Sequence, residues 1–133
     1  MSSMDFGNFN DKKVLVVDDN RVNLKVISMS LNQFGVMADC TGSGEEAVTM
    51  VREKEYDMVI MDILMPGMNG METTKAIRSL DYDYCKEMPI VAWTVDNQDG
   101  SEKDYFEAGM NDLLQKPVQM DSLKEMLTKY LNW

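Results

Sequence analysis

The stretch Tyr56-Asp57-Met58-Val59-Ile60-Met61-Asp62-Ile63-Leu64-Met65-Pro66-Gly67-Met68-Asn69-Gly70 decides the fold. From Met58 to Met65 every residue except Asp62 is apolar, and so short a run between turn residues is the pattern of a parallel-sheet strand buried on both faces. An ionised carboxylate in such surroundings needs a cation, hydrogen-bond donors or the open solvent of a strand end. Pro66, Gly67, Asn69 and Gly70 break the strand soon afterwards, which puts Asp62 at its carboxyl end, where open α/β sheets bind ligands.

Upstream, residues 14–17 form a first short apolar strand that runs into Asp18-Asp19-Asn20. Asn20 is placed to cap a helix whose broad apolar face takes in Val22, Leu24, Val26, Ile27, Met29, Leu31 and Phe34, and Gly35 closes it. A weaker second strand spans 36–40, and a Gly-Ser-Gly turn leads to a helix over 45–53 with an acidic start. Downstream come a helix over 71–80, a polar loop over 81–88, and a fourth strand over 90–93 ending at Thr94. A loop over 95–100, a short helix over 101–108, a fifth strand over 112–115 ending at Lys116-Pro117, and a last helix over 121–131 follow. The last helix faces inward through Leu123, Met126, Leu127 and Tyr130. Residues 1–11, polar apart from Phe6 and Phe9, read as a flexible arm, leaving 12–133 as one domain. Five strands alternating with five helices imply an α/β fold with a doubly wound parallel sheet, because right-handed crossovers put helices on both faces.

Composition narrows the function. With 13 Lys and Arg against 23 Asp and Glu, a net charge of −10 repels nucleic-acid phosphates and anionic membranes, arguing against direct binding to either. The absence of histidine removes His-based zinc sites, Ser-His-Asp triads and any histidine phosphodonor within the chain. Cys40 and Cys85 lack metal-site spacing and read as free thiols in a reducing cytoplasm. No apolar stretch reaches membrane-spanning length, the opening residues lack the features of a signal peptide, and the 14 methionines read as core filling.

The strand ends carry Asp18 and Asp19, Asp62, Thr94 and Lys116, and a parallel sheet gathers all of them on one edge. Three carboxylates so placed repel one another, each pair at ~4 Å by about 4 kcal/mol at an effective dielectric near 20. Mg²⁺ suits such a site: it takes oxygen ligands, needs few carboxylates, and keeps waters that a phosphoryl oxygen displaces. Lys116 adds a point charge for a phosphate and Thr94 a short hydroxyl donor.

These residues resemble the receiver domain of two-component response regulators, in the form common in hybrid histidine kinases and phosphorelays. The matching text is Val14-Leu15-Val16-Val17-Asp18-Asp19-Asn20 with Asn23, Gly44-Glu45-Glu46-Ala47, the run from Met61 to Glu72, Gly109-Met110-Asn111-Asp112 and Lys116-Pro117. The resemblance covers nearly all of 12–133 and implies a flavodoxin-like fold with strand order 2-1-3-4-5. It implies that Asp62 accepts a phosphoryl group from the phosphohistidine of a partner, either a histidine kinase or a histidine phosphotransfer protein. Asp19, Asp62 and the Leu64 carbonyl would bind Mg²⁺, with Asp18 acting mainly through water. Lys116, Thr94 and backbone N–H groups near Leu64, Met65 and Val95 would meet the phosphoryl oxygens, and Lys116-Pro117 would be cis. Thr94 would then move inward and bias a two-state surface around the family's fourth helix.

The chain departs from the family pattern at Leu113, where the switch aromatic usually stands, three residues before the lysine. Trp93, just before Thr94, is large for its place and reads as core, with a substitute contact for the missing aromatic as the alternative. Leu64 offers no polar group to orient a hydrolytic water, so dephosphorylation is expected to be slow. The last helix ends close to Trp133, so output is expected through protein contacts, onward transfer, or the rest of a longer parent such as a hybrid kinase. Two rival readings are a Mg²⁺-dependent phosphohydrolase, disfavoured because Leu64 replaces the second Asp of the usual Asp-x-Asp, and a degenerate receiver that only binds.

Overall fold

The computed structural model describes residues 9–95 and 102–131. Five parallel strands, β1 (Lys13–Val17), β2 (Met37–Thr41), β3 (Met58–Asp62), β4 (Ile90–Thr94) and β5 (Asp112–Gln115), form one sheet in the order β2-β1-β3-β4-β5. The helices between them are α1 (Arg21–Gln33), α2 (Gly44–Glu53), α3 (Gly70–Arg78), α4 (Asp83–Glu87) and α5 (Glu102–Ala108), and α6 (Met120–Leu131) follows β5. The expected doubly wound α/β sheet and its strand order are therefore present.

Strand alternation sorts the core into two layers. Val14, Val16, Met58, Ile60, Val91, Trp93 and Leu114 pack against Ile27 and Leu31 of α1 and Leu123 and Leu127 of α6. Leu15, Val17, Val59, Met61, Ile90 and Ala92 pack on the other side, against α2 through α5. All five residues of β3 are buried, as a central strand covered on both faces requires.

Several expectations need correction. Only part of the apolar surface of α1 is core: Val22, Val26 and Met29 are 70%, 49% and 59% exposed. At 100° per residue, Leu24, Ile27, Leu31 and Phe34 form one stripe toward the sheet, and these three lie about 120–180° around the helix from it. The polar loop expected over 81–88 contains α4, a sixth helix. It is a single turn anchored by buried Cys85, and the Tyr84 hydroxyl donates to the carbonyls of Val51 and Lys54 at 2.6 and 2.9 Å. Of the arm expected over 1–11, residues 1–8 lie outside the described residues, and Phe9 is buried, with its ring edge-on to Phe34 at 6.3 Å. Tyr130 is only half-buried, and Leu131 takes the inward place at the end of α6. Within the loop expected over 95–100, residues 96–100 lie outside the described residues, as does Ser101 of the expected helix start.

Candidate functional site

The alternation that builds the α1/α6 core layer also builds the site. One step beyond the apolar residues of that face stand Asp18 after Val16, Asp62 after Ile60, and Lys116 after Leu114, so their side chains meet at the carboxyl edge. Register brings Asp62 level with Trp93 on β4, and Thr94 level with Gln115. The Lys116 N–H donates to the Thr94 carbonyl at 2.9 Å, which ties the β5 exit to the end of β4.

Asp18 is held on all sides. Its Oδ1 accepts from the Asn20 N–H at 2.8 Å, and its Oδ2 accepts from Asn23 Nδ2 at 3.1 Å and pairs with Lys116 Nζ at 2.9 Å. Asn20 meanwhile caps α1 by accepting from the Asn23 N–H at 3.0 Å, so one turn starts the helix and fixes the carboxylate. Lys116 Nζ also lies 3.0 Å from Asp62 Oδ1. One ligand oxygen from each of Asp18, Asp19 and Asp62 falls within 4.8 Å of the others. Three carboxylates against one ammonium leave a negative excess that an oxygen-seeking divalent cation would relieve.

The turn after β3 is shaped by two glycines. Gly67 adopts φ +74°, a left-handed conformation that L side chains resist. Gly70 donates its N–H to the Ile63 carbonyl at 3.0 Å, and a Cβ there would collide with the Asp62 carbonyl oxygen and lie 3.0 Å from Ile63 Cα. Asn69 and Glu72 close a capping box at the start of α3. The backbone behind Asp62 is therefore fixed by a close approach that only glycine permits.

Burial raises the Asp62 carboxyl to about 6, with the Asp18 charge adding to the rise and the Lys116 hydrogen bond opposing it. Burial alone would lower Lys116, but its bonds to Asp18 and Asp62 outweigh this and raise it. At neutral pH the site thus holds an ionised aspartate beside a fully charged lysine.

A cleft of about 210 Å³ opens over these groups and is lined by every predicted site residue except Met65, with Asn20 and Asn23 added. Met65 turns its side chain into the α2–α5 core, leaving only its backbone to serve the site. Lys116-Pro117 is cis, in agreement with the expectation. Asn23 was legible only as part of a matching motif, because its bond to Asp18 depends on how the cap turns the first helical residues. Trp93 is core, as expected, but the Lys116 ammonium also stands 4.8 Å from its ring centroid, a contact that needs the strand register to be seen.

Residues 14–128 match the response regulator receiver domain family. The chain belongs to that family. The receiver is 40% identical over 124 residues to the osmosensing histidine protein kinase SLN1 of Saccharomyces cerevisiae, covering 89% of this chain and 10% of the kinase. It superposes on the receiver domain of sensor histidine kinase PA1611 from Pseudomonas aeruginosa, a structure with magnesium coordinated in its active-site cleft. There the TM-score is 0.83 and the identity 30%, over 92% of this chain and 98% of that one. It also superposes, with TM-score 0.80 and 27% identity over 92% of this chain and 90% of that one, on the Saccharomyces cerevisiae co-crystal of the phosphotransfer protein Ypd1 and the receiver domain of Ssk1. The chain spans between 7% and 20% of the length of the curated relatives it matches. It is a receiver of the two-component and phosphorelay class, a signalling domain, and no helix among its described residues is long and apolar enough to cross a membrane.

Proposed function

We propose that Asp62 is the phosphoacceptor of this receiver and takes its phosphoryl group from a phosphohistidine on a partner protein. The observation that carries the reading is the Lys116 ammonium bridging Asp18 and Asp62 at 2.9 and 3.0 Å inside an acidic cleft. In transfer, an Asp62 oxygen bonds to phosphorus as the histidine N–P bond breaks, and the imidazole leaves. The reaction asks for alignment and charge neutralisation, since the transferring group spreads negative charge over its oxygens. Lys116 turns from carboxylate to phosphoryl oxygen, the Thr94 hydroxyl meets a second, and the N–H groups near Leu64, Met65 and Val95 receive the remainder. Asp19, Asp62 and the Leu64 carbonyl would hold Mg²⁺, which supplies charge neutralisation when bound. Asp18, already bonded to Asn20, Asn23 and Lys116, would act on it through water. The domain promotes its own phosphorylation and slow hydrolysis and is not a turnover enzyme. Its two free thiols, Cys40 and Cys85, suit a cytoplasmic setting.

Val22, Val26 and Met29 on α1 are exposed, and so are Leu64 and Val95 at the cleft mouth. Apolar side chains beside a charged site suit a docking protein that must seat its histidine over Asp62. A histidine phosphotransfer protein fits this chemistry, and the complex formed by the similarly folded Ssk1 receiver supports the choice. The test is transfer of labelled phosphoryl from a phosphorylated histidine phosphotransfer protein to the wild type, Asp62→Asn and Val26→Asp. Label should reach the wild type, reach Val26→Asp more slowly, and never reach Asp62→Asn. Transfer to Asp62→Asn would overturn the assignment.

A further inference from the structure

Trp93 is 2% exposed, and its indole Nε1 is buried without a hydrogen-bond partner among the described residues. An orphaned N–H is a cost that a leucine or phenylalanine filling the same part of the α1/α6 core would avoid. What the indole supplies is a π face that leucine lacks and phenylalanine offers more weakly, and that face is in use. Lys116 Nζ stands 4.8 Å from the ring centroid, while the lysine side chain as a whole is only 13% exposed. The strands make the arrangement rigid, because Trp93 lies in register with Asp62 on one side and with Leu114, two residues before Lys116, on the other. Among the described residues the ammonium thus has two carboxylates in front and an aromatic face alongside.

We propose that Trp93 is a positioning residue for Lys116: its ring holds the ammonium over the acidic cleft in a place from which it can pass from carboxylate to phosphoryl oxygen. The carboxylates alone fix the lysine only while both are free, and Asp62 changes identity once phosphorylated. The ring does not change. A cation–π contact is directionally tolerant and survives a small swing, so it keeps the lysine in the site on both sides of the transfer. The inference rests on Asp62 being the phosphoacceptor, and the experiment separates the two ideas.

Adduct formation from acetyl phosphate in Mg²⁺ is followed by intact mass for the wild type, Trp93→Phe, Trp93→Leu, Lys116→Met and Trp93→Leu/Lys116→Met. Trp93→Leu should slow the saturating rate by roughly ten- to thirtyfold, the scale of a partly to fully desolvated cation–π contact. Trp93→Phe should fall between, and the loss from Trp93→Leu should vanish in the Lys116→Met background. A wild-type rate in Trp93→Leu, or the same loss with and without Lys116, overturns the proposal. In parallel, a Trp133→Phe background leaves Trp93 as the single tryptophan, since the chain has two, and red-edge excitation that spares the tyrosines isolates its emission. Its emission should change on Lys116→Met, and identical spectra would refute the contact. Should the wild type form no adduct, the phosphoacceptor reading falls, and the emission comparison still decides whether the ring holds the lysine.

Discussion

Asp62 is a liability to the metal-free fold, and Asp62→Asn should make the receiver more stable in EDTA at pH 8. Its carboxyl is raised from 3.8 to about 6, chiefly by burial. A folded-state value above the unfolded one means that the folded form binds the proton more tightly. Stability is therefore fully present below about 3.8 and is lost as pH rises through about 6. The difference between 6 and 3.8 corresponds to about 3 kcal/mol at 1.36 kcal/mol per pH unit. Water in the open cleft screens part of this, leaving about 1–2 kcal/mol. Asparagine keeps an oxygen for Lys116 while removing the charge that faces Asp18. For a domain of this size the gain amounts to a rise in Tm of about 3–8 °C. Thermal unfolding by circular dichroism from pH 4 to 8 in EDTA measures it. The two proteins should coincide below about pH 4, separate as pH rises from about 4 to about 6, and keep a constant difference above that, with Asp62→Asn the more stable. Equal stability at pH 8, or a difference that does not depend on pH, would refute the assignment of burial as the dominant force on Asp62.

Three further perturbations follow from the geometry. In the wild type, Mg²⁺ at about ten times its dissociation constant should add about 1.4 kcal/mol to stability. Asp19→Asn should abolish most of that gain in the same melting assay. Arg78 donates to the carbonyls of Gly109, Cys85 and Met88 and to Asn111 Oδ1, the oxygen that also accepts the Ile90 N–H, so it ties α3 to α4 and to the approaches of β4 and β5. Arg78→Ala should cost about 3 kcal/mol in urea unfolding, since several buried carbonyls lose a charged donor at once. Gly70→Ala should displace the backbone at Asp62, lowering Tm and slowing phosphorylation together, whereas Gly42→Ala, where a Cβ meets only ordinary contacts, should do neither.

Strands β1, β3 and β4 were readable as short, largely apolar runs between turn residues, β2 and β5 more weakly because Asp39, Asp112 and Gln115 interrupt them, and the site was readable because four of the five strands end in charged or hydroxyl residues. What could not be read depends on rotation or register. Hydrophobicity alone does not divide the broad apolar face of α1 into the stripe that meets the sheet and the stripe of Val22, Val26 and Met29 that stays exposed. The single turn of α4 buries one residue, Cys85, and leaves no periodicity to detect. Phe9 looked like part of a polar arm because its partner, Phe34, lies beyond β1 and α1 in the chain. The contact between Trp93 and Lys116 joins neighbouring strands and becomes visible only once β4 and β5 are paired. Arg78 resembles any helical surface cation until the loops it ties are folded around it.

Intact mass after incubation with acetyl phosphate, in Mg²⁺ and in EDTA, for the wild type and Asp62→Asn, tests the central claim most directly. The account predicts a single phosphoryl adduct on the wild type that requires Mg²⁺, resists acid, is released by base, and is missing from Asp62→Asn. An adduct of undiminished yield on Asp62→Asn, or one formed equally well in EDTA, would contradict it.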